Sequence, residues 1–475
     1  MSTSPPSADA AAVPMSARAR GALLILCGAI FLEGIDVAML NVALPAIRAE
    51  LGLSTTTLSA VVSAYVLGYA GFMLLGGRAA DLFGKRRMFL AALGVFLVFS
   101  GLGGFATEGW MLLVARFVTG VAAAFMTPAG LALITTNFAE GPQRNKAVLI
   151  YAATASAGFS LGLVAGGFLL AISWRWVFFA PVILSALILA LAPRLIADDG
   201  RRAGGRFDMP GAVTLTGAML AAAYAVTRLE HPGEGLPWTL AAFAASLVLA
   251  LLFVAIERRT DTPLVRLGLL RAGSLVRANL SALLFAGAFF GFQFLVSLYL
   301  QELRGWTALE TSFALLVISV DAILAPTLTP KLVSRFGHAR VVLGGLVLAV
   351  LSYALFLRIS LDWTYASMFP TMILLGLAFA LAYGPLTIAA TDGIAADEQG
   401  LAGGLFNTAF QFGAALGLSA VSAISVYSLG ADLSPAGRLE ALQAALLVPV
   451  AATALAVLVT ATGLRRPRLQ PQQAG

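Results

Sequence analysis

Residues 21–45 read GALLILCGAIFLEGIDVAMLNVALP, and this stretch decides the fold. It is apolar over the ~20 residues that a helix needs to cross a bilayer's hydrocarbon core. Arg18 and Arg20 precede it, as basic residues precede a signal peptide. The run is too long for a signal peptide and holds two acids, so it reads as an uncleaved transmembrane helix. Those acids, Glu33 and Asp36, are three residues apart and share one helix face. A charged carboxylate at bilayer depth is costly, so an acid kept there is a functional candidate by default.

Thirteen further apolar segments follow, near 55–77, 88–106, 110–135, 146–170, 175–193, 210–228, 237–256, 276–299, 310–330, 341–358, 364–389, 401–428 and 440–463. They predict an all-α polytopic membrane protein with 14 transmembrane helices. An even number of spans puts both termini on one side. Of the 30 lysines and arginines, 23 then fall on that side, six on the other, and Arg116 inside a segment. Excess Lys and Arg mark the cytoplasmic face, so both termini are expected there.

Composition agrees. The 475 residues are 60% hydrophobic and 11% charged, against about 25% charged in soluble domains. The net charge of +7 sits in short clusters between apolar runs, which argues for membrane topology and against nucleic acid. A single cysteine, Cys27, excludes a disulfide within the chain and a thiolate metal site. The two histidines, His231 and His338, fall in predicted loops, so neither a metal cluster nor a Ser-His-Asp triad is expected. No G-x-x-x-x-G-K-[ST] phosphate loop occurs. Neither an enzyme nor a cofactor is expected, ATP drive is excluded, and the paired acids of the first helix favour a proton gradient as the energy source.

The chain also repeats weakly. Asp81-Leu-Phe-Gly-Lys-Arg-Arg87 has a counterpart in Ser334-Arg-Phe-Gly-His-Ala-Arg340. Each is a short basic turn after the second helix of a six-helix block. Two such blocks leave the seventh and eighth helices as an inserted hairpin. The expected divisions are a disordered cytoplasmic tail (1–17), an N-terminal bundle (18–200), the hairpin (201–260), a C-terminal bundle (261–466) and a cytoplasmic tail (467–475). Duplicated halves with a midplane site are a transporter architecture. The hairpin carries few polar residues and is expected to be peripheral.

Several motifs carry a resemblance. Gly77-Arg-Ala-Ala-Asp81-Leu-Phe-Gly84-Lys-Arg-Arg87 resembles the loop-2/3 signature of the major facilitator superfamily. Ile35-Asp36-Val-Ala-Met-Leu-Asn41-Val-Ala-Leu-Pro45 resembles the helix-one motif of its fourteen-span drug:proton antiporter branch. Arg116-Phe-Val-Thr-Gly120 is similar to the family's arginine motif, and Gly158 to Gly167 to its antiporter motif. Ser173-Trp-Arg-Trp-Val-Phe-Phe179, Asp261-Thr-Pro-Leu-Val265 and Gly404-Leu-Phe-Asn-Thr408 extend the likeness along the chain. The resemblance implies the major facilitator fold and a conformational latch formed by Gly77, Arg78, Asp81, Gly84, Lys85 and Arg86. Within that loop Gly77 and Gly84 are expected to allow close helix approach and a tight turn. The resemblance further implies that Arg116 interacts with helix one and tunes its acid. Gly158, Gly162, Gly166 and Gly167 form small-residue steps for tight helix packing. Leu163 stands where the antiporter motif has proline, so a kink is not expected there.

Asp36, Glu33, Arg116 and Asp321 are the candidates for proton coupling, and Asp321 is also a candidate for binding a cationic substrate. Arg116 alternatively snorkels to an interface, and Asp321 alternatively lies near a surface. Asn41, Tyr65, Tyr69, Asn137, Gln293, Tyr299, Asn407 and Gln411 are candidates for lining the substrate cavity. A single polar residue in a span is as readily a helix–helix hydrogen bond. The function expected is proton-coupled export of hydrophobic or cationic drugs, or of a secondary metabolite. The alternative is an importer or exchanger of a small polar nutrient. The partners expected are a small molecule, protons and lipid, for a monomer in a bacterial-type inner membrane.

Overall fold

All fourteen apolar segments are helical over the residues that the structure, a computed structural model, describes: 16–138, 142–197, 208–228, 236–260, 268, 271–392, 394, 399–430 and 432–464. Most of both tails, the 198–207 loop and the Asp261–Val265 motif lie outside them. The first six helices are α1 (Ala17–Leu51), α2 (Thr55–Phe83), α3 (Lys85–Gly104), α4 (Gly109–Asn137), α5 (Pro142–Leu170) and α6 (Trp176–Leu195). Next come α7 (Met209–Arg228), α8 (Leu236–Glu257) and α9 (Gly273–Leu298), the last ending in a π-helical turn at Tyr299–Leu303. The tenth segment is broken into α10 (Ala308–Leu316), a 3-10 turn (Val317–Val320), α11 (Asp321–Thr327) and α12 (Thr329–Phe336). The last four are α13 (His338–Phe356), α14 (Tyr365–Thr391), α15 (Gln399–Leu429) and α16 (Pro435–Ala461). Twelve helical stretches are long and apolar enough to cross a membrane, while α5 and α7 supply shorter apolar stretches, Ala157–Leu170 and Met209–Ala222. No strand occurs among the described residues.

Helix ends follow local chemistry. The Ser54 hydroxyl accepts the Thr57 N–H at 3.0 Å and starts α2. Thr307 and Glu310 form a reciprocal capping box on α10. Pro330 stands in the first turn of α12, where its missing N–H is tolerated, and this separates α12 from α11. The 3-10 turn lies where Gly376 of α14 presses on the Ile318 carbonyl.

The packing is duplicated. In the first six helices α1 lies on α5 and α6, α3 on α4 and α6, and α2 on α4. In the last block α9 lies on α15 and α16, α13 on α14 and α16, and α11 on α14. The seams between the blocks correspond too, α2 on α15 and α5 on α10. Gly84 and Gly337 each end one helix and begin the next, at φ of 98° and 81°. Only glycine adopts that conformation cheaply, so the weak sequence repeat reflects a repeated turn.

Two expectations are corrected. Close helix approach does not occur at Gly77, where a side-chain carbon meets only Pro128, at an ordinary 3.8 Å. It belongs to Gly76, which abuts the Ala124 carbonyl. Pro128 has no N–H to offer that carbonyl, which leaves it open to a neighbouring helix. The hairpin is also not wholly peripheral. α7 packs on both α2 and α15, and the Thr216 hydroxyl donates to the Gly71 carbonyl at 2.8 Å. Leu240, Leu247, Val248 and Leu251 of α8 do face outward.

Candidate functional site

Glycines place the acids of α1. Gly158, Gly162 and Gly166 of α5 rest on the backbone at Phe31, Ile35 and Met39, where an added side-chain carbon would come within 2.7–3.0 Å. Gly34 returns the contact to Ala155 and Gly158. α5 continues through buried Leu163 to Leu170 without a break, so the glycine face survives the loss of the motif proline. Gly167 points elsewhere, against Leu309 and Ser312 of α10 in the other half.

α4 brings the arginine. Gly120, one turn after Arg116, abuts the Tyr65 backbone and locks α4 to α2 at this height. Arg116 Nη1 donates to Asp36 Oδ2 at 2.6 Å, and both side chains are 2% exposed. The guanidinium lies 4.3 Å over the Tyr65 ring, which packs edge-on against Tyr69. Arg116 therefore faces the bundle interior and does not snorkel. The pair is closed to water, and removing either member strands the other charge.

Glu33 is different. It is half-buried, and its Oε2 accepts the Thr127 hydroxyl at 2.5 Å. Tyr69 is also a hydrogen-bond partner, and Tyr151 of α5 and Tyr383 of α14 lie near enough to feel its charge. Tyr383 belongs to an aromatic wall in the second half. It stacks on Phe379 at 5.3 Å and meets Phe410 at 5.0 Å. Phe289 lies 4.6 Å from Phe379, and Phe290 lies 6.1 Å from Phe410. A carboxyl group of one half thus lies within electrostatic reach of an aromatic residue of the other, an arrangement suited to an aromatic cation.

The remaining candidates divide. Asn41 is buried, with no hydrogen-bond partner for Nδ2 among the described residues. Gln293 is 1% exposed, and neither of its polar atoms has one. Asn137 and Asn407 instead donate to carbonyls of their own helices, at Leu133 and Gly403. The Tyr299 hydroxyl donates to the Ser360 carbonyl at 2.6 Å inside the second half. Gln411 is half-buried on α15. Asp321 begins α11, half-buried in the middle of the broken tenth segment. In the loop signature, Arg86 donates to the Pro193 carbonyl of α6, within the same half. Arg78 and Lys85 are half-buried, and the Asp81 side chain lies outside the described residues.

Sequence reasoning left an aromatic wall for cations open without naming its residues, and it missed Thr127, Tyr383 and an ion pair between the halves. Arg48 Nη1 donates to both oxygens of Glu302, at 2.8 and 3.0 Å. Beside it the Gln301 amide donates to the Val42 carbonyl at 3.2 Å. Here the C-terminal ends of α1 and α9 are pinned together.

The comparisons with known proteins concern the family and the fold. The family model of the Major Facilitator Superfamily matches residues 26–418. The puromycin resistance protein pur8 of Streptomyces alboniger is 33% identical over 450 residues, covering 90% of this chain and 88% of its own. The cephamycin export protein CmcT of Amycolatopsis lactamdurans is 33% identical over 426 residues, 87% and 86% of the two chains. The multidrug efflux pump LfrA of Mycolicibacterium smegmatis is 30% identical over 423 residues, 88% and 84%. Among solved structures, the peptide transporter PepTSo superposes with a TM-score of 0.69 over 95% of this chain and all of its own. The nucleoside transporter NupG gives 0.67 over 93% and 99%. Their identities of 16% and 14% bear on the fold alone.

Proposed function

The chain belongs to the major facilitator superfamily, and on that premise we propose that it is a proton-driven exporter of hydrophobic or cationic drugs, or of a secondary metabolite. The observation that carries this reading is the pairing of two unlike acids on one helix. Asp36 is sealed against Arg116, while Glu33 is half-buried, bonded to Thr127 and within electrostatic reach of Tyr383 in the aromatic wall. In this reading a proton arriving at α1 releases Asp36 from Arg116, cargo leaves Glu33, and the halves rock about the site. The relatives named for puromycin resistance, cephamycin export and multidrug efflux support an outward direction.

The finer architecture belongs to the same proposal. Fourteen spans, with α7 and α8 as the inserted hairpin between bundles 18–200 and 261–466, account for the repeated packing. The positive-inside bias supports an inner-membrane protein with both termini cytoplasmic. We assign Gly77–Arg86 to the latch between the halves, Asp321 to a second proton or cargo acid, and a monomer to the transporting unit.

The experiment is counterflow in proteoliposomes under an imposed pH gradient, with Asp36→Asn, Glu33→Gln and Asp321→Asn beside the wild type. The expected result is gradient-driven transport of tetraphenylphosphonium by the wild type. Asp36→Asn should lose the dependence on the gradient. Proton-driven counterflow retained in all three variants would falsify the assignment.

A further inference from the structure

Gln293 is a primary amide shut inside the molecule with nothing to bond. It is 1% exposed, and Nε2 and Oε1 both lack a hydrogen-bond partner among the described residues. Buried amides in folded proteins are normally paired, because an unmade bond leaves the desolvation cost uncompensated. An aliphatic residue would pack here without that cost, so the amide points to a use outside the fold.

Its surroundings show where that use lies. At 100° per residue, Phe290, Gln293, Ser297 and Gln301 make one stripe along α9. The stripe begins where Phe290 meets Phe410 and ends where Gln301 meets Val42 of α1. Gln293 therefore opens toward the seam between the halves, one turn beyond Phe289 and Phe290. Its depth follows from the pinned ends of α1 and α9, which run parallel because their C-terminal ends meet through Arg48 and Glu302. Gln293 is eight residues below Gln301, and Glu33 is nine below Val42. At 1.5 Å per residue these are about 12 and 13.5 Å, and counted from the Arg48–Glu302 pair they are about 13.5 and 22.5 Å, so the carboxyl lies level with the amide or up to about 9 Å deeper, a span that one elongated cargo bridges. Ser297 Oγ and Asn41 Nδ2 are also buried without hydrogen-bond partners among the described residues, and they continue the polar strip toward the pinned end.

We infer that Gln293 is a hydrogen-bonding subsite for the cargo, which reads a neutral carbonyl, amide or hydroxyl on an aromatic cation held between Glu33 and the aromatic wall. The inference rests on the exporter reading and narrows its substrate class. The preferred cargo carries one cationic centre, flat aromatic surface and a neutral polar group. A purely greasy cation would leave the amide unsatisfied and bind less well.

The test uses two probes with five chain carbons each on the purified full chain, pentyltriphenylphosphonium and (4-carbamoylbutyl)triphenylphosphonium. Their binding constants are compared in the wild type and in Gln293→Met, which keeps the shape of the side chain and removes its hydrogen bonds. The ratio of the two constants should shift against the carbamoyl probe by about tenfold in the variant, with the pentyl constant little changed. An unchanged ratio overturns the inference, and so does a protein that binds neither probe. Should Gln293→Met fail to fold, the wild-type ratio decides: preference for the carbamoyl probe supports the subsite and preference for the pentyl probe overturns it. Binding with the expected ratio but no pH-driven flux would leave the subsite standing and remove the proton-driven reading alone.

Discussion

The two halves of this molecule share a packing plan and differ in what they put inside it. In the first half α1 carries Glu33 and Asp36, and α4 carries Arg116 and Thr127. Their counterparts, α9 and α14, carry Phe289, Phe290 and Gln293, and Phe379 and Tyr383. The helix contacts correspond pair by pair, and the turn glycines Gly84 and Gly337 correspond as well. Backbone packing was therefore kept while interior chemistry diverged. The charged half is suited to carrying protons and the aromatic half to carrying cargo, and a transporter needs both to face one cavity.

The sharpest way to break this comparison is at the buried ion pair. Arg116→Leu leaves Asp36 sealed away without its cation, and such stranding costs about 3–5 kcal/mol. The expected outcome is a large fall in the detergent unfolding midpoint and in folded yield. Arg116→Leu combined with Asp36→Asn should recover most of that loss, because no stranded charge remains, while transport stays uncoupled. If the single variant is as stable as the wild type, the pair is not sealed and the contrast between halves weakens.

The next test asks whether the two scaffolds are equally tight. Gly162 of the first half rests on Ile35, and Gly417 of the second abuts Gly287. Replacing either with leucine must push the paired helix backbones apart. Overpacking of this kind costs about 1–3 kcal/mol or somewhat more. Similar losses of thermal stability are expected at both sites. Gly162→Leu should also impair gradient-driven transport more than Gly417→Leu, because it displaces the helix that carries the acids. Gly77→Ala, by contrast, should be nearly neutral, whereas Gly76→Ala should not.

Much of this was legible in the sequence, and the reasons are physical. Bilayer length and apolarity mark helices without reference to any partner, so the segment positions emerge within a few residues. Arg116 and Asp36 are singled out because charge inside a span demands an explanation. Gly158, Gly162 and Gly166 are visible because a four-residue step keeps one helix face. Other features depend on contacts between distant regions of the chain. The sequence distance from Arg48 to Glu302 is 254 residues, and nothing local to either announces the other. Tyr383 is an ordinary aromatic until the fold brings it within electrostatic reach of Glu33 and against Phe410. Gly76 and Gly77 are adjacent, and only the freed carbonyl of Ala124 distinguishes them. In the tenth segment Pro330 makes the break before α12 visible, but the 3-10 turn was hidden, because it lies against Gly376 of another helix.

The smallest expected effect on stability belongs to the pair that spans the halves. Arg48 and Glu302 have side chains 33% and 26% exposed, and ion pairs of that kind contribute about 0–1 kcal/mol. Glu302→Gln should leave the unfolding midpoint almost unchanged. Its effect should appear in the conformational balance, since the pair exists only while this end is closed. A cysteine placed at Leu309, beside Gly167 on the α5–α10 seam, reports that opening when Cys27 is first replaced by serine. Its labelling by a membrane-impermeant maleimide should rise several-fold in Glu302→Gln. The exchanged pair, Arg48→Glu with Glu302→Arg, should bring the rate back toward the wild-type value. Labelling that ignores both changes would mean that apolar packing between α5 and α10 closes this end without help from charge. The two halves would then be held together by uncharged contacts, and charge would matter only in the interior of the first.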